Sequence, residues 1–562
     1  MLAINRRDDI RYAAAAVPFL RSGGKQFEMV GQYELPDFPT PIVVASGGIW
    51  GRSKWTVSIP RDYRFPLSVK EYAGMGEKCR EVAGRARDLH AETSAGEQIL
   101  LHPLNELDPY FVDVQEAEAK YLLPVSGGPE GRRKHVHGPL IGEGSDPLQP
   151  QCEKTLTYVL ESDDAALGNT LMMLWTFYSL AQEQDRSFFI DDTRWAYGQY
   201  KNLFQAPPSP NCRPPPRHEM IPCPVQARHL VVSAATAEDA MIGMLAGRKM
   251  DKAATLEVDG GHVGRGEQKA LFDLARQGYE ALFHPVTEDA AYMAKRVDEL
   301  QSRVSSSSAS HTDKILVGMH IRRGDGHPLE YQYRDSYIPL GVFLEHADRI
   351  VQERNSSTAS RGNNQYPVNS APADNTVPPT VHLAIATDDP TILDAPEMAD
   401  VSHDPAQQRI KLAWKEHPHK ARPDPHYMHR FMDEPFGWEG GFYQAMFWNL
   451  GKPIGKDRDI EGSPPARKEK AGEEKPQKKT AKSTDDVDEP PSEAVVNLRN
   501  YLARAYIMDL AVVARASDFV LCGVGSMGCR ILGVMLGWDE VVGDRGKWVN
   551  IDGEYGWMGL GW

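Results

Sequence analysis

The chain has 562 residues, 41% apolar and 25% charged, with a formal net charge of −15. That length calls for two or three domains, and the composition is that of a globular protein in water. The acidic balance excludes nucleic acid as the main partner, because a polyanion needs a broad basic surface, but it leaves room for one basic pocket holding a small phosphate ligand.

Residues 1–150 are mixed and rich in turn signals, with Trp50, Trp55 and Phe65–Tyr72 as packing residues and a helix expected over Glu77–His90. They carry no catalytic signature and read as an N-terminal extension. Ala13–Leu20 reads as a helix start, not a signal peptide. No run approaches the roughly 18–20 apolar residues needed to cross a bilayer.

A βαβ pattern begins near Cys152. Leu156–Leu160 is a strand, Gly168-Asn169 opens an apolar helix over Thr170–Gln182, and Ser187–Ile190 is a second strand. Such a unit implies a parallel sheet. Val225–Ser233 reads as a third strand, with helices at Glu238–Leu245 and Gln268–Ala281. The serine-rich Ser302–His311 is a break, which divides a domain over 151–310 from one over 311–562.

The second unit opens with a strand at Lys314–His320 and a helix at Ile338–Asn355. Ser356–Thr380 reads as a disordered insertion. Val381–Ala386 is a strand and Pro390–Ala395 begins a helix. Gly451–Glu493 has almost no residue able to pack and reads as a second disordered insertion. A helix follows at Ala494–Arg515, a strand at Asp518–Cys522, a glycine turn at Gly523–Ser526 and a helix at Met527–Leu536. The fold class expected is α/β, with two facing Rossmann-like domains in a GT-B-like arrangement.

The six cysteines do not make a disulfide scaffold. Cys522 and Cys529 lie in apolar sequence and read as buried free thiols, and no cysteine pair has zinc-finger spacing, so no structural metal is expected.

The chemistry concentrates at strand ends. Val317–Asp325 places His320, Arg322 and Arg323 where a strand finishes, and ligands of open α/β sheets sit beyond such ends. An arginine there can grip a diphosphate through paired, charge-assisted hydrogen bonds; a local salt bridge with Asp325 is the plainer alternative. Asp388 and Asp389 end another strand and can hold a sugar, orient an arginine, or cap the helix at Pro390. Asp509 interrupts an apolar helix. Ser526 and Gly168-Asn169 stand at helix starts that suit phosphate.

In order and spacing these pieces resemble the fucosyltransferase superfamily, above all the α1,6-fucosyltransferases of family 23. The resemblance lies in the His-x-Arg-Arg-x-Asp block at His320–Asp325, Ala386-Thr-Asp-Asp-Pro390, Asp509, and Ser526-Met-Gly-Cys-Arg530. It covers roughly Cys152–Trp562. It implies an inverting, metal-independent transfer of fucose from GDP-fucose, with no further cofactor, to a glycan acceptor hydroxyl. Arg322 would hold the β-phosphate, with Arg323 and Asp325 beside it. His320 and Asp509 would hold the guanosine, Ser526 and Gly168-Asn169 the diphosphate, and Tyr337 the flank of the donor. Asp388 and Asp389 would shape the site. Glu330 would be the general base. The resemblance also implies a Cys152–Cys212 disulfide and a Golgi or secretory location, with a cytoplasmic one open. Gly326 stands where the family often has lysine, which leaves a weakly active or inactive nucleotide- or glycan-binding descendant as the alternative.

Overall fold

The computed structural model describes residues 37–46, 52–93, 108–123, 137–144, 146–161, 167–246, 265–305, 314–323, 337–361, 381–410, 493–543 and 546–559. Asp325, Gly326 and Glu330 lie outside them, as does nearly all of the Gly451–Glu493 segment. The described chain is mixed α/β with two parallel sheets and a separate antiparallel hairpin.

The hairpin pairs β1 (Thr40–Ser46) with β2 (Arg52–Ser58). It packs with α1 (Val69–Thr93) and α2 (Val114–Ala119) over one face of the first parallel sheet, in a core that includes Trp55, Val57, Tyr72, Val159, Phe189 and Val231.

The first parallel sheet has the order β4-β3-β5, from β3 (Thr155–Val159), β4 (Ser187–Asp191) and β5 (His229–Val232). Its crossover helix α3 (Leu167–Glu183) is apolar almost all round because it is enclosed on nearly every side. α4 (Ala237–Ala246), α5 (Arg265–Leu282) and α6 (Thr287–Ser305) follow. α6 runs through Ser302, so the serine-rich break begins later than the sequence implies; its amphipathic pattern outweighs the serines at its end. α3 and α5 pack at very close range. A Cβ on Gly278 would lie 2.0 Å from the Trp175 carbonyl oxygen, so only glycine fits there.

The second sheet contains β6 (Ile315–Ile321), β7 (Val381–Thr387), β8 (His403–Pro405), β9 (Phe519–Cys522) and β10 (Trp548–Asn550), all parallel, in the order β8-β7-β6-β9-β10. The chain thus builds outward from β6 in one direction, then returns to build outward from it in the other. The first two strands read as near-continuous apolar runs because both faces are covered. α7 (Leu340–Arg361) joins β6 to β7. It extends into the segment read as a disordered insertion from Ser356. At Pro390 the expected helix is only a 3-10 turn, Pro390–Asp394. α8 (Glu493–Ala516) precedes β9 and α9 (Met527–Leu536) follows it, with the short α10 (Trp538–Val542) behind.

One apolar core runs through both parallel sheets, with α3, α5, α8 and α9 contributing to it. The two halves meet directly where Gly168 opens α3: a Cβ there would lie 2.9 Å from Met527 and 3.1 Å from both Ile531 and the Tyr506 hydroxyl. No described helix is long and apolar enough to cross a membrane.

All six cysteines are bonded: Cys79 to Cys223, Cys152 to Cys212, and Cys522 to Cys529. The second is the pairing the family resemblance implies. The third corrects the reading of buried free thiols. The glycine turn folds the end of β9 onto the first turn of α9 and brings the two Cα atoms within 5.4 Å, inside disulfide reach. A pattern of apolar neighbours cannot show such a fold-back.

Candidate functional site

The order β8-β7-β6-β9-β10 places a topological switch point between β6 and β9, where successive connections leave in opposite directions. In open parallel sheets the crevice outside the carboxyl ends at that point is where ligands bind. A small pocket lies there, lined by His320, Ile321 and Arg322 from the end of β6, Gly523 and Ser526 from the turn after β9, and Ile338 and Phe343 at the start of α7.

His320 is the buried floor of this end of the sheet. Its Nδ1 lies 3.3 Å from Ser526 Oγ. Its ring sits so close beneath α9 that a Cβ on Gly528 would come within 2.5 Å of it. Burial, reinforced by the charge of Arg322, pushes its pKa down to about 4, so the ring is neutral near pH 7. Arg322 lines the pocket beside it and is partly exposed.

Arg323 points elsewhere. It donates to the Ile338 carbonyl at 2.7 Å and stacks over Tyr337 at 5.5 Å, while its backbone N–H donates to Asp388 at 2.6 Å. Arg323, Tyr337 and Asp388 therefore tie the end of β6 to the residues before α7 and to the end of β7. At Asp389 the backbone N–H donates to Thr387 Oγ1 at 3.1 Å, in a local turn before Pro390. Of the strand-end carboxylates, Asp388 holds the backbone of Arg323, and the turn at Asp389, closed through Thr387 Oγ1, leads into the 3-10 segment.

Ser526 is the N-cap of α9, accepting from the Cys529 N–H at 3.2 Å. The turn before it is clasped from the next strand. The Val524 N–H donates to Asn550 Oδ1 at 2.9 Å and the Gly525 N–H to Asp552 Oδ2 at 3.3 Å. Buried Arg530 donates to the Val524 carbonyl at 2.9 Å. Two of the amides a phosphate would use are therefore already partnered. Asn550, Asp552 and the Cys522–Cys529 bridge stand beside the pocket and are not among the residues singled out in the sequence. The signal available was faint: an Asn-Ile-Asp run near a chain end, and two cysteines flanking a glycine turn.

Asp509 is buried on α8 and accepts from the Gln407 backbone N–H at 3.1 Å. Burial pushes its carboxyl well above the usual range, against the opposing hydrogen bonds from Gln407. It is no surface carboxylate. It anchors the chain leaving β8 to the helix that leads into β9. At the start of α3, Gly168 is buried against α9 and Asn169 is partly buried, with an Oδ1 that has no hydrogen-bond partner among the described residues.

The structure thus gathers His320, Arg322 and Ser526 into one pocket and brings Gly168 against α9. It places Arg323, Tyr337 and Asp388 just behind the pocket as supports, and Asp509 deeper on α8.

No family model and no curated protein matches the chain. Solved structures do. A NodZ α-1,6-fucosyltransferase soaked with GDP-fucose is similar over 68% of this chain and 93% of its own, at 10% identity and a TM-score of 0.27. An Arabidopsis thaliana FUT1 mutant in complex with GDP is similar over 68% of this chain and 69% of its own, at 10% identity and a TM-score of 0.26. Fucosyltransferase NodZ from Bradyrhizobium is similar over 45% of this chain and 79% of its own, at 13% identity and a TM-score of 0.20. Distances this wide leave the reading of the site to the chain's own geometry.

Proposed function

We propose that this chain is a glycosyltransferase of the GT-B type that transfers fucose from GDP-fucose to a glycan hydroxyl, with inversion and without a metal ion. The observation that carries the reading is the meeting of Arg322, neutral His320 and the N-capping Ser526 at the switch point between β6 and β9. A nucleoside diphosphate sugar needs a cation at its departing phosphate and neutral polar groups around its base and sugar. This pocket supplies an arginine, a neutral imidazole and a hydroxyl.

In the proposed reaction the acceptor oxygen attacks C1 of fucose. The bond from C1 to the β-phosphate oxygen breaks, and GDP leaves with its new charge held by Arg322. The acceptor proton passes to a carboxylate base, for which Glu330 is the choice implied by the family motif. Gly168-Asn169 closes the site from the first sheet, since Gly168 lies so near α9 that a Cβ on it would crowd Met527 and Ile531. Three disulfides suit a secretory compartment such as the Golgi.

One observation favours the weaker alternative, a descendant that binds nucleotide or glycan without turnover. The Val524 and Gly525 amides are occupied by Asn550 and Asp552, so the turn offers a diphosphate fewer donors. Incubation with GDP-fucose, GDP-mannose and UDP-sugars over a glycan array separates the readings. Transfer from GDP-fucose alone supports the enzyme, GDP binding without transfer supports the descendant, and a preference for UDP-sugars sinks both.

A further inference from the structure

Glu118, His218 and Glu219 converge at the other end of the first sheet, with ligand-capable atoms all within 4.8 Å of one another. Glu118 comes from α2, His218 and Glu219 from a 3-10 turn at Arg217–Glu219, and His229 adjoins them from the first position of β5. Because Thr155 and His229 open parallel strands, the cluster lies at the amino-terminal ends. A ligand there has no part in chemistry at the carboxyl ends.

Two features separate this group from an ordinary ion-pair network. His218 and His229 are both more than nine-tenths buried, and the Nε2 of His229 has no hydrogen-bond partner among the described residues. The Nε2 atoms of both histidines face carboxylates. His218 Nε2 lies 3.2 Å from Glu118 Oε1, and His229 Nε2 lies 3.8 Å from Glu219 Oε2. Ligand atoms at about 2.1 Å from a tetrahedral ion stand about 3.4 Å apart, so the spacing leaves room for a metal between them.

The surroundings also hold the donors in a ligating pose. His229 Nδ1 lies 3.1 Å from Thr155 Oγ1, and donation to that hydroxyl leaves the Nε2 lone pair directed at the cluster. Gln151 donates to Glu219 Oε2 at 2.9 Å. Arg61 donates to Glu118 Oε2 at 2.8 Å and leaves Oε1 toward His218.

We propose that Glu118, His218 and Glu219 bind one divalent transition-metal ion, with zinc as the best fit and the fourth position facing His229 of β5, as a structural staple between α2 and the 3-10 turn at Arg217–Glu219. Mixed imidazole and carboxylate donors suit zinc, whereas magnesium and calcium prefer oxygen ligands alone. The absence of zinc-finger cysteines does not bear on it, because no cysteine takes part.

The full chain, purified without chelator and then supplied with zinc, is the material for the test. Elemental analysis is expected to give about one zinc per chain, with a thermal midpoint several degrees above that of the chelator-treated protein. Glu219→Gln keeps the side-chain shape and is expected to weaken zinc binding at least about tenfold, as is His218→Ala. A wild-type chain that takes up less than about a tenth of an equivalent of zinc and shows no change in midpoint overturns the site. So does full zinc binding by both variants.

Discussion

His320 faces Ser526 on one side and Gly528 on the other, and its burial has a consequence for pH. Its folded pKa, about 4, lies below the roughly 6.5 of an exposed histidine. A lowered pKa contributes stability that is complete above the unfolded value and is lost as pH falls through the folded one. The loss therefore falls between about pH 6.5 and pH 4 and amounts to about 3 kcal/mol. His320→Gln is expected to remove most of that slope in denaturant titrations over this range, whatever its effect at pH 7. Asp509 works in the opposite sense. Its folded pKa is raised, so stability present at low pH is lost as pH rises above the ordinary carboxyl range of about 4. Asp509→Asn is expected to lose less stability than the parent between about pH 4 and pH 7 in the same titration. A parallel loss in both would show that the carboxyl is already ionised.

At the scale of elements, close approaches carry the arrangement. Gly278→Ala would drive a methyl group into the Trp175 carbonyl and separate α3 from α5. Overpacking of this kind costs about 1–3 kcal/mol, read as a lowered unfolding midpoint. Most helices of the two parallel-sheet units and their central strands were legible in the sequence, whereas α6, α2 and the β1–β2 hairpin were not read from it. α9 falls at Met527–Leu536 as the glycine turn and Ser526 imply, and β6 and β7 fall on their apolar runs. Long buried elements declare themselves through periodicity and unbroken apolar runs. β8 and β10, only three residues each, do not: His403-Asp-Pro405 and Trp548-Val-Asn550 are strands because their neighbours offer a free edge, which no local pattern records. The same holds for the site. His320, Arg322 and Ser526 are visible as strand-end and helix-start residues. The clasp from Asn550 and Asp552 is not, because it depends on β10 lying beside β9.

At the scale of the molecule, three disulfides and a shared core hold the chain together. Cys79–Cys223 ties the N-terminal helix α1 to the segment before β5, and Cys152–Cys212 ties the lead-in to the central strand β3 to the segment between β4 and β5. Peptide mapping without reductant is expected to recover all three pairs, and loss of Cys152–Cys212 through a double serine variant is expected to cost about 2–5 kcal/mol. The account stands on the pocket at the switch between β6 and β9, and calorimetric titration of the full chain with GDP tests it most directly. The prediction is saturable one-site binding that Arg322→Ala weakens at least about tenfold, in line with a charge-assisted hydrogen bond of about 1.5–3 kcal/mol. No GDP binding by the parent chain, or equal binding by Arg322→Ala, would contradict it.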